Sequence, residues 1–197
     1  MRTLILATLG VALAATLPAA AEDKPITWKD DVGGWYIGVD TSIGNGCFMT
    51  AAYEAGTYLR VQFNPSSDNF QFIIGDEAWS SIEAGKLYNV GIAFGNRDPW
   101  TGDAEGGRLG ELPTLTVDVG FEKDKAATFI DEFRRMTSVA VTYESKEIAR
   151  LTLSGTNAAM SEVINCQSAV NEAGAAAPAD GSDPFSSGQG TDSDPFN

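Results

Sequence analysis

The sequence predicts a mainly β protein: an antiparallel β-sandwich or curved sheet with one or two short helices, one disulfide and a disordered C-terminal tail. Three observations predict this class. Apolar and polar residues alternate through most of the chain, turn-forming residues separate the alternating segments, and apolar residues follow a helical spacing in only two places. Short connections favour antiparallel pairing, because parallel strands need long crossovers.

The predicted strands have apolar residues at every second position, which gives each strand one buried and one polar face. They comprise residues 35–40, 47–53, 59–63, 70–74, 87–94, 115–121, 139–143 and 148–153. Turn-forming residues lie between several of them, at residues 44–46, 64–68 and 144–146.

Two segments have helical periodicity instead. Residues 124–136 and 156–167 each place their apolar side chains on one stripe of a helix. The stripes consist of Ala126, Phe129, Ile130, Phe133 and Met136 in the first helix, and of Ala159, Met160, Val163 and Ile164 in the second.

Residues 1–21 have the layout of a secretory signal peptide. Arg2 supplies one positive charge, an apolar run follows, and Ala19 and Ala21 form an A-x-A cleavage site. A membrane anchor is the less favoured alternative, because the apolar run is shorter than the ~20 residues that a bilayer requires. We therefore expect a periplasmic or secreted protein that does not span a membrane after cleavage.

Export affects the interpretation of the two cysteines. In an oxidising compartment an isolated pair most simply forms a structural disulfide, which predicts a bond between Cys47 and Cys166. A redox-active pair is the alternative. It is less favoured because neither cysteine belongs to a C-x-x-C motif.

The mature chain is predicted to consist of one β-rich domain, residues 22–168, and an acidic tail, residues 169–197. The tail is rich in Ala, Gly, Ser, Pro and Asp and has no Lys or Arg, which predicts disorder. The domain contains 22 acidic and 12 basic residues, and the tail contains five acidic residues.

Composition excludes several kinds of chemistry. The chain has no histidine, so it has no Ser-His-Asp or Cys-His catalysis and no histidine-containing zinc site. Two cysteines cannot hold an iron–sulfur cluster alone. A formal net charge of −14 argues against nucleic acid as a partner, because phosphate binding requires clustered Lys and Arg.

Several residues carry a resemblance to a known family. These are Trp35 before a strand, the lone Cys47, the stretch WSSIEAGKLY at residues 79–88, and LTLSGTNAAM at residues 151–160 followed by Cys166. Together they resemble small exported β-domain proteins of proteobacteria and, more distantly, the invasion-associated locus B family. That family usually has more than one disulfide, whereas this chain can form only one. The resemblance implies a periplasmic β-rich module without established catalysis.

Adjacent carboxylates are the only acid–base groups available for catalysis. They occur at residues 30–31, 76–77 and 131–132, and the chain has no S-x-x-K or G-x-S-x-G motif. Solvated surface acid is the favoured interpretation, so we expect no enzyme. The alternative is a glycan-active or hydrolytic enzyme with two carboxylates facing each other across a cleft.

Residues 96–113 are predicted to form a long loop, and long loops in compact domains are often functional. Trp100 looks exposed and is a candidate anchor for a protein partner. Asp98, Asp103 and Glu105 offer oxygen ligands for Ca²⁺, although their spacing differs from that of an EF-hand. The remaining interpretation is a flexible hairpin tip. No other cofactor or metal is expected.

The tail contains the sequence SDPF twice, at residues 182–185 and 193–196. An aromatic residue beside a negative charge suits weak, repeated docking into a pocket of a partner. The candidate contact residues are Asp183, Pro184, Phe185, Asp194, Pro195 and Phe196. A solubilising tail is the alternative interpretation.

The expected function is therefore a non-catalytic binding module, with a protein partner that contacts the 96–113 loop, the tail motifs or both. Carbohydrate binding is a further option, because tryptophan rings stack on sugars. Of the candidates Trp28, Trp35, Trp79 and Trp100, we expect Trp35 and Trp79 to lie in the core.

Overall fold

The computed structural model describes residues 24–176, which form ten strands and two α-helices. The strands are β1 (Ile26–Lys29), β2 (Tyr36–Asp40), β3 (Gly46–Ala52), β4 (Thr57–Asn64), β5 (Asn69–Asp76), β6 (Leu87–Phe94), β7 (Trp100–Leu109), β8 (Leu112–Gly120), β9 (Ser138–Tyr143) and β10 (Lys146–Thr152). The helices are α1 (Lys125–Arg135) and α2 (Thr156–Ala176). The predicted fold class, mainly β with two helices, is confirmed.

All ten strands belong to one antiparallel sheet in the order β1-β2-β3-β4-β5-β8-β7-β6-β9-β10. The sheet curves until its two ends meet. The Trp35 indole N–H donates to the Ser154 carbonyl at 2.8 Å, and the Tyr53 hydroxyl donates to the Thr152 carbonyl at 3.0 Å. These bonds join the β2–β3 end of the sheet to the end of β10. Of the two predicted architectures, the structure is therefore the curved single sheet.

Strand register places the alternating apolar residues on one face. A continuous row crosses five strands, with each residue directly opposite the next: Met49, Val61, Phe72, Val117 and Ala104. Because side chains alternate along a strand, a shift by one residue would move every member of this row to solvent. Both helices lie on this concave face.

Helix α1 is the centre of the core. Phe129, which is 1% exposed, makes edge-on or tilted ring contacts with Phe70, Phe72, Phe94 and Trp100. The ring centroids are 4.9–6.2 Å apart. One side chain therefore touches β5, β6 and β7, and the sheet wraps around the helix that carries it.

Helix α2 packs against β2 and β3 and is joined to the sheet by a covalent bond. Cys47 of β3 and Cys166 of α2 form a disulfide, with their Cα atoms 6.1 Å apart. Beside it, the Gln167 side-chain oxygen accepts the Cys47 backbone N–H at 2.8 Å. The predicted disulfide is confirmed, and it links positions 119 residues apart.

The prediction of a long loop at residues 96–113 is wrong. Most of this segment is strand β7, and β8 starts at Leu112 after a tight turn. The residues of β7 that follow Trp100 on the concave side are Gly102, Ala104 and Gly106, which are too small to give an apolar alternation. β7 is held by backbone pairing with β6 and β8. Such pairing leaves no hydrophobic pattern in the sequence.

The predicted boundary between domain and tail at residue 169 is also wrong, because α2 continues to Ala176. Val170 packs against the core, and Asn171 accepts a hydrogen bond from Gln167 at 3.0 Å. The predicted signal peptide and both SDPF motifs lie outside the described residues. Within residues 24–176, no helix is long and apolar enough to cross a membrane.

Replacing both cysteines by alanine, Cys47→Ala with Cys166→Ala, should destabilise the domain. The disulfide closes a loop of more than 100 residues, so the loss should approach 4–5 kcal/mol, roughly the chain-entropy limit. Urea unfolding followed by tryptophan fluorescence measures it. Wild-type protein with reductant is the control and should unfold near the midpoint of the double variant. Equal midpoints for oxidised wild type and variant would contradict this expectation.

Two truncations test where the folded domain ends. A chain that ends at Ala176 should keep the melting temperature of the full mature chain. A chain that ends at Ser168 should melt several degrees lower, because it loses the Val170 packing and the Gln167–Asn171 hydrogen bond. Differential scanning calorimetry compares the two. A Ser168 truncation as stable as the longer chain would show that the last two turns of α2 contribute nothing.

Candidate functional site

A hollow of about 300 Å³ lies where the β4–β5 hairpin meets α2. We call it the amide hollow, because four of its eight lining residues have carboxamide side chains. The lining residues are Phe63, Asn64, Pro65, Asp68, Asn69, Phe121, Gln167 and Asn171. They come from three distant parts of the chain, which the β5–β8 pairing and the disulfide bring together.

Two aromatic rings form an apolar wall of the amide hollow. Phe63, near the end of β4, and Phe121, just after β8, stack with centroids 6.4 Å apart and planes 22° from parallel. Phe63 is half-buried, whereas Phe121 is 44% exposed. Large exposed apolar residues at a concave surface are typical of contact sites. Phe121 therefore offers a ring face to an incoming group.

Internal hydrogen bonds hold most of the amides in place. Asn64 accepts the Ser67 backbone N–H and donates to the Gln71 side-chain oxygen, both at 3.2 Å. Gln167 accepts from the Cys47 backbone and donates to the Asn171 side-chain oxygen. A ligand in the hollow would therefore meet side chains that are already oriented, which lowers the entropy cost of binding.

Asn69 is the exception among these amides. Its Oδ1 atom is buried and has no hydrogen-bond partner among the described residues, and no other buried side-chain oxygen or nitrogen among them is in this state. An unsatisfied buried acceptor costs about 1–3 kcal/mol, so its presence requires an explanation. A hydrogen-bond donor that reaches it, from a bound water or from a ligand, would satisfy it.

The electrostatics of the amide hollow restrict its ligand. Asp68 is the single charged residue in the lining, and neither Lys nor Arg is part of it. The whole chain has a net charge of −14. Asp68 would repel an anionic group inside the hollow, so the hollow suits an uncharged or cationic group that donates hydrogen bonds.

Sequence reasoning missed this site. Asn64 and Asn69 close the β4–β5 hairpin, and Asn in such a place is a common turn residue whether or not it binds anything. The alternation of residues 115–121 places Phe121 on the apolar face of a predicted strand. Only the tertiary structure shows that the strand ends at Gly120 and leaves this ring exposed.

Trp100 does not have the exposed position that its predicted role as a partner anchor requires. Its indole N–H donates to a Glu132 carboxylate oxygen at 2.7 Å, and its ring packs edge-on against Phe129 at 5.4 Å. The side chain is half-buried. It connects β7 to α1.

The three proposed calcium ligands do not form a site. In residues 24–176, no group of three or more acidic or cysteine side chains is placed to hold a metal ion. Asp103 instead accepts a hydrogen bond from Asn89 at 3.2 Å, on the convex side of the sheet. Asp98 lies before β7 begins, and Glu105 lies on that strand.

Each adjacent carboxylate pair contains a group that stabilises local structure. Asp31 accepts the Gly34 backbone N–H at 2.7 Å. Asp76 accepts the Thr57 hydroxyl at 2.6 Å. Asp131 pairs with Arg135 across one turn of α1 at 2.7 Å. These contacts give one acid of each pair a role in local structure.

A chain of polar side chains crosses the convex face of the sheet. Arg60 is 5% exposed, pairs with Asp40 at 2.6 Å and lies 3.9 Å above the Phe48 ring. Arg60 also donates to Gln62, Gln62 to Gln71 at 2.6 Å, and Gln71 to Asp118 at 2.8 Å. Because the chain continues to Asn64 through Gln71, it supports the amide hollow from below.

Asp40 is the carboxylate that pairs with Arg60 at one end of this chain of side chains. Burial raises the pKa of its carboxyl group, but hydrogen bonds from Ser42 and Arg60, together with the Arg60 charge, outweigh burial. The net result is a pKa below the ordinary value of 3.8. The ionised form is therefore the one that the folded protein favours.

Comparisons with known proteins returned no match: no family model, no curated protein and no solved structure is similar to this chain.

Asp40→Asn should lower the melting temperature at neutral pH by about 3 °C, which corresponds to about 1 kcal/mol in a domain of this size. The variant leaves Arg60 buried without its carboxylate partner. Because the Asp40 pKa is lower in the folded state than in the unfolded state, the ionised carboxylate stabilises the fold at pH values above the unfolded-state pKa. This stabilisation is lost as the pH falls through the folded-state pKa. The difference from wild type should therefore shrink below about pH 4.

Thermal scans at a series of pH values measure this effect. Asp103→Asn is the matched control, because Asp103 is an exposed acid on the same face of the sheet and pairs with an amide. It should leave the melting temperature unchanged across the series. A pH-independent difference for Asp40→Asn would show that the Arg60 pair contributes no linked stability.

Proposed function

We propose that this chain is an exported, non-catalytic binding module that holds a short segment of a partner protein in the amide hollow. The N-terminal pattern of a signal peptide supports export. The Cys47–Cys166 disulfide agrees with an oxidising compartment such as the periplasm or the cell exterior. No cofactor takes part.

The observation that carries the proposal is the unsatisfied Oδ1 of Asn69 beside the exposed ring of Phe121. A peptide segment supplies both missing partners. A backbone N–H donates to Asn69, and an apolar side chain packs on the Phe121 ring. This combination of one buried polar contact and one aromatic contact is common at the energetic centre of protein interfaces.

Charge narrows the choice of partner. The hollow has one carboxylate and no basic residue, so a segment that is neutral or basic is preferred. The acidic surface of the whole chain favours the same partner at longer range and raises the rate of encounter at low salt.

The tail motifs remain a proposed second contact. Residues 183–185 and 194–196 lie outside the described residues, and each offers a phenylalanine beside an aspartate. Two weak contacts on one chain raise the overall affinity through effective concentration. The proposal does not include residues 96–113 as a flexible docking loop, because most of this segment is strand β7.

Phe121→Ala should weaken partner binding by about tenfold or more, the loss of an aromatic contact at an interface centre. Leu109→Ala is the matched control, since Leu109 is similarly exposed at 40% but lines no part of the hollow. Immobilised mature protein is incubated with exported proteins of the producing cell, and captured proteins are quantified by mass spectrometry.

Asn69→Ala adds a second, independent measurement. It removes a buried oxygen without a partner, so it should retain the melting temperature of wild type while it weakens capture. Capture that both hollow variants leave intact would contradict the proposal. Release of an isolated glycan, or cleavage of the captured partner, would favour the enzymatic alternative with paired carboxylates.

A further inference from the structure

A second concave site lies on the other side of α1, under β7. It is a cavity of about 180 Å³ between the concave face of β6–β8 and the helix. Its apolar wall is formed by Val90, Ile92, Trp100, Val117 and Phe129, and polar residues form the rest of the lining. This site shares no lining residue with the amide hollow.

Gly102 explains why the cavity exists. Its position on β7 faces the core side of the sheet, directly opposite Val90, and a Cβ atom there would meet no atom within 4 Å. The next glycine on the same face, Gly106, has no such space, because the Glu83 carbonyl and the Ile82 side chain fill it. The segment before β6 therefore covers Gly106 and leaves Gly102 uncovered.

The walls of the cavity are held in place. Trp100 is fixed by its hydrogen bond to Glu132 and by its edge-on contact with Phe129. Phe129 in turn packs against Phe94 with centroids 4.9 Å apart. These rings cannot readily collapse into the space above Gly102. A rigid apolar cavity of about 150 Å³ is large enough to bind benzene, so this one accommodates a ring with one small substituent.

The rim of the cavity carries a single positive charge. Lys125, the first residue of α1, lines it and forms no ion pair among the described residues. Asp103 and Asp118 also belong to the lining, but their carboxylates accept hydrogen bonds from Asn89 and Gln71 on the convex face. The positive end of the α1 dipole lies at the same rim and favours an anion there.

We propose that this cavity binds a small aromatic carboxylate, with its ring beside Gly102 and against the Trp100 and Phe129 rings, and its carboxylate towards Lys125. Edge-to-face contacts with two fixed aromatic rings favour a flat aromatic body over an aliphatic one. The charge at the rim selects the acid over the neutral alcohol. This site is independent of the partner-binding hollow, and each is tested without the other.

Benzoate is the probe, and benzyl alcohol is its neutral counterpart. Two-dimensional NMR on the uniformly labelled mature chain follows the Trp100 indole N–H and the Gly102 and Phe129 amides. Benzoate should shift these three signals saturably with a Kd of about 1 mM, as expected for a ligand of this size. Signals from the amide hollow should not move. The absence of a saturable shift at these three signals would overturn the proposal.

Gly102→Val fills the cavity with a residue that suits a strand, so it should abolish the benzoate shifts and raise the melting temperature. Gly102→Ala adds one methyl group and should have a smaller effect of the same sign. Glu105→Gln is the matched control, because Glu105 is an exposed residue of the same strand that does not line the cavity, and it should bind benzoate like wild type. Unchanged benzoate binding in Gly102→Val would overturn the proposal.

Lys125→Met tests the charge separately. It should weaken benzoate about threefold to fivefold, the value of one partly exposed ion pair, and leave benzyl alcohol unchanged. The variant keeps the cavity and alters an exposed residue, so folding is not at risk. Equal weakening of both probes, or of neither, would overturn the assignment of the ligand as a carboxylate.

Discussion

The packing of Phe129 against three strands is the contact on which the rest of the structure depends. β5, β6 and β7 are not consecutive in the sheet, because β8 lies between β5 and β7. A single ring that touches all three fixes the curvature of the sheet. Phe133, one turn later, extends the same row to Trp35 at 6.0 Å. Trp35 then bonds the far end of the sheet through Ser154.

The two concave sites follow from the limits of this packing. An eleven-residue helix spans about 16 Å, which is shorter than the concave face of a ten-stranded sheet. α2 and the segment before β6 cover much of the remainder. The space at Gly102 lies between α1 and that segment, and the amide hollow lies between the β4–β5 hairpin and α2. Both sites therefore lie at gaps between neighbouring elements that cover the concave face.

The parts of the fold that sequence predicts are those with large apolar side chains in a regular period. Strand β6 was predicted with its observed bounds, and the stripe of α1 with its buried residues. Strand β7 was missed because its concave positions are Gly and Ala. The end of α2 was missed because Ala-rich sequence was interpreted as disorder, although Ala is the best helix former. The amide hollow depends on contacts between residues about 100 positions apart, which no local pattern contains.

The disulfide gives the amide hollow a dependence on redox state as well as on folding. Gln167 and Asn171 form the α2 side of the hollow, and Gln167 follows Cys166 directly. The Cys47 backbone N–H also donates to the Gln167 side chain, so Cys47 is bonded to two consecutive residues of α2. Reduction would remove the covalent link between α2 and β3 and leave this wall of the hollow held by apolar packing and the Gln167 hydrogen bond. The disulfide therefore reinforces the α2 wall of the hollow as well as the stability of the domain.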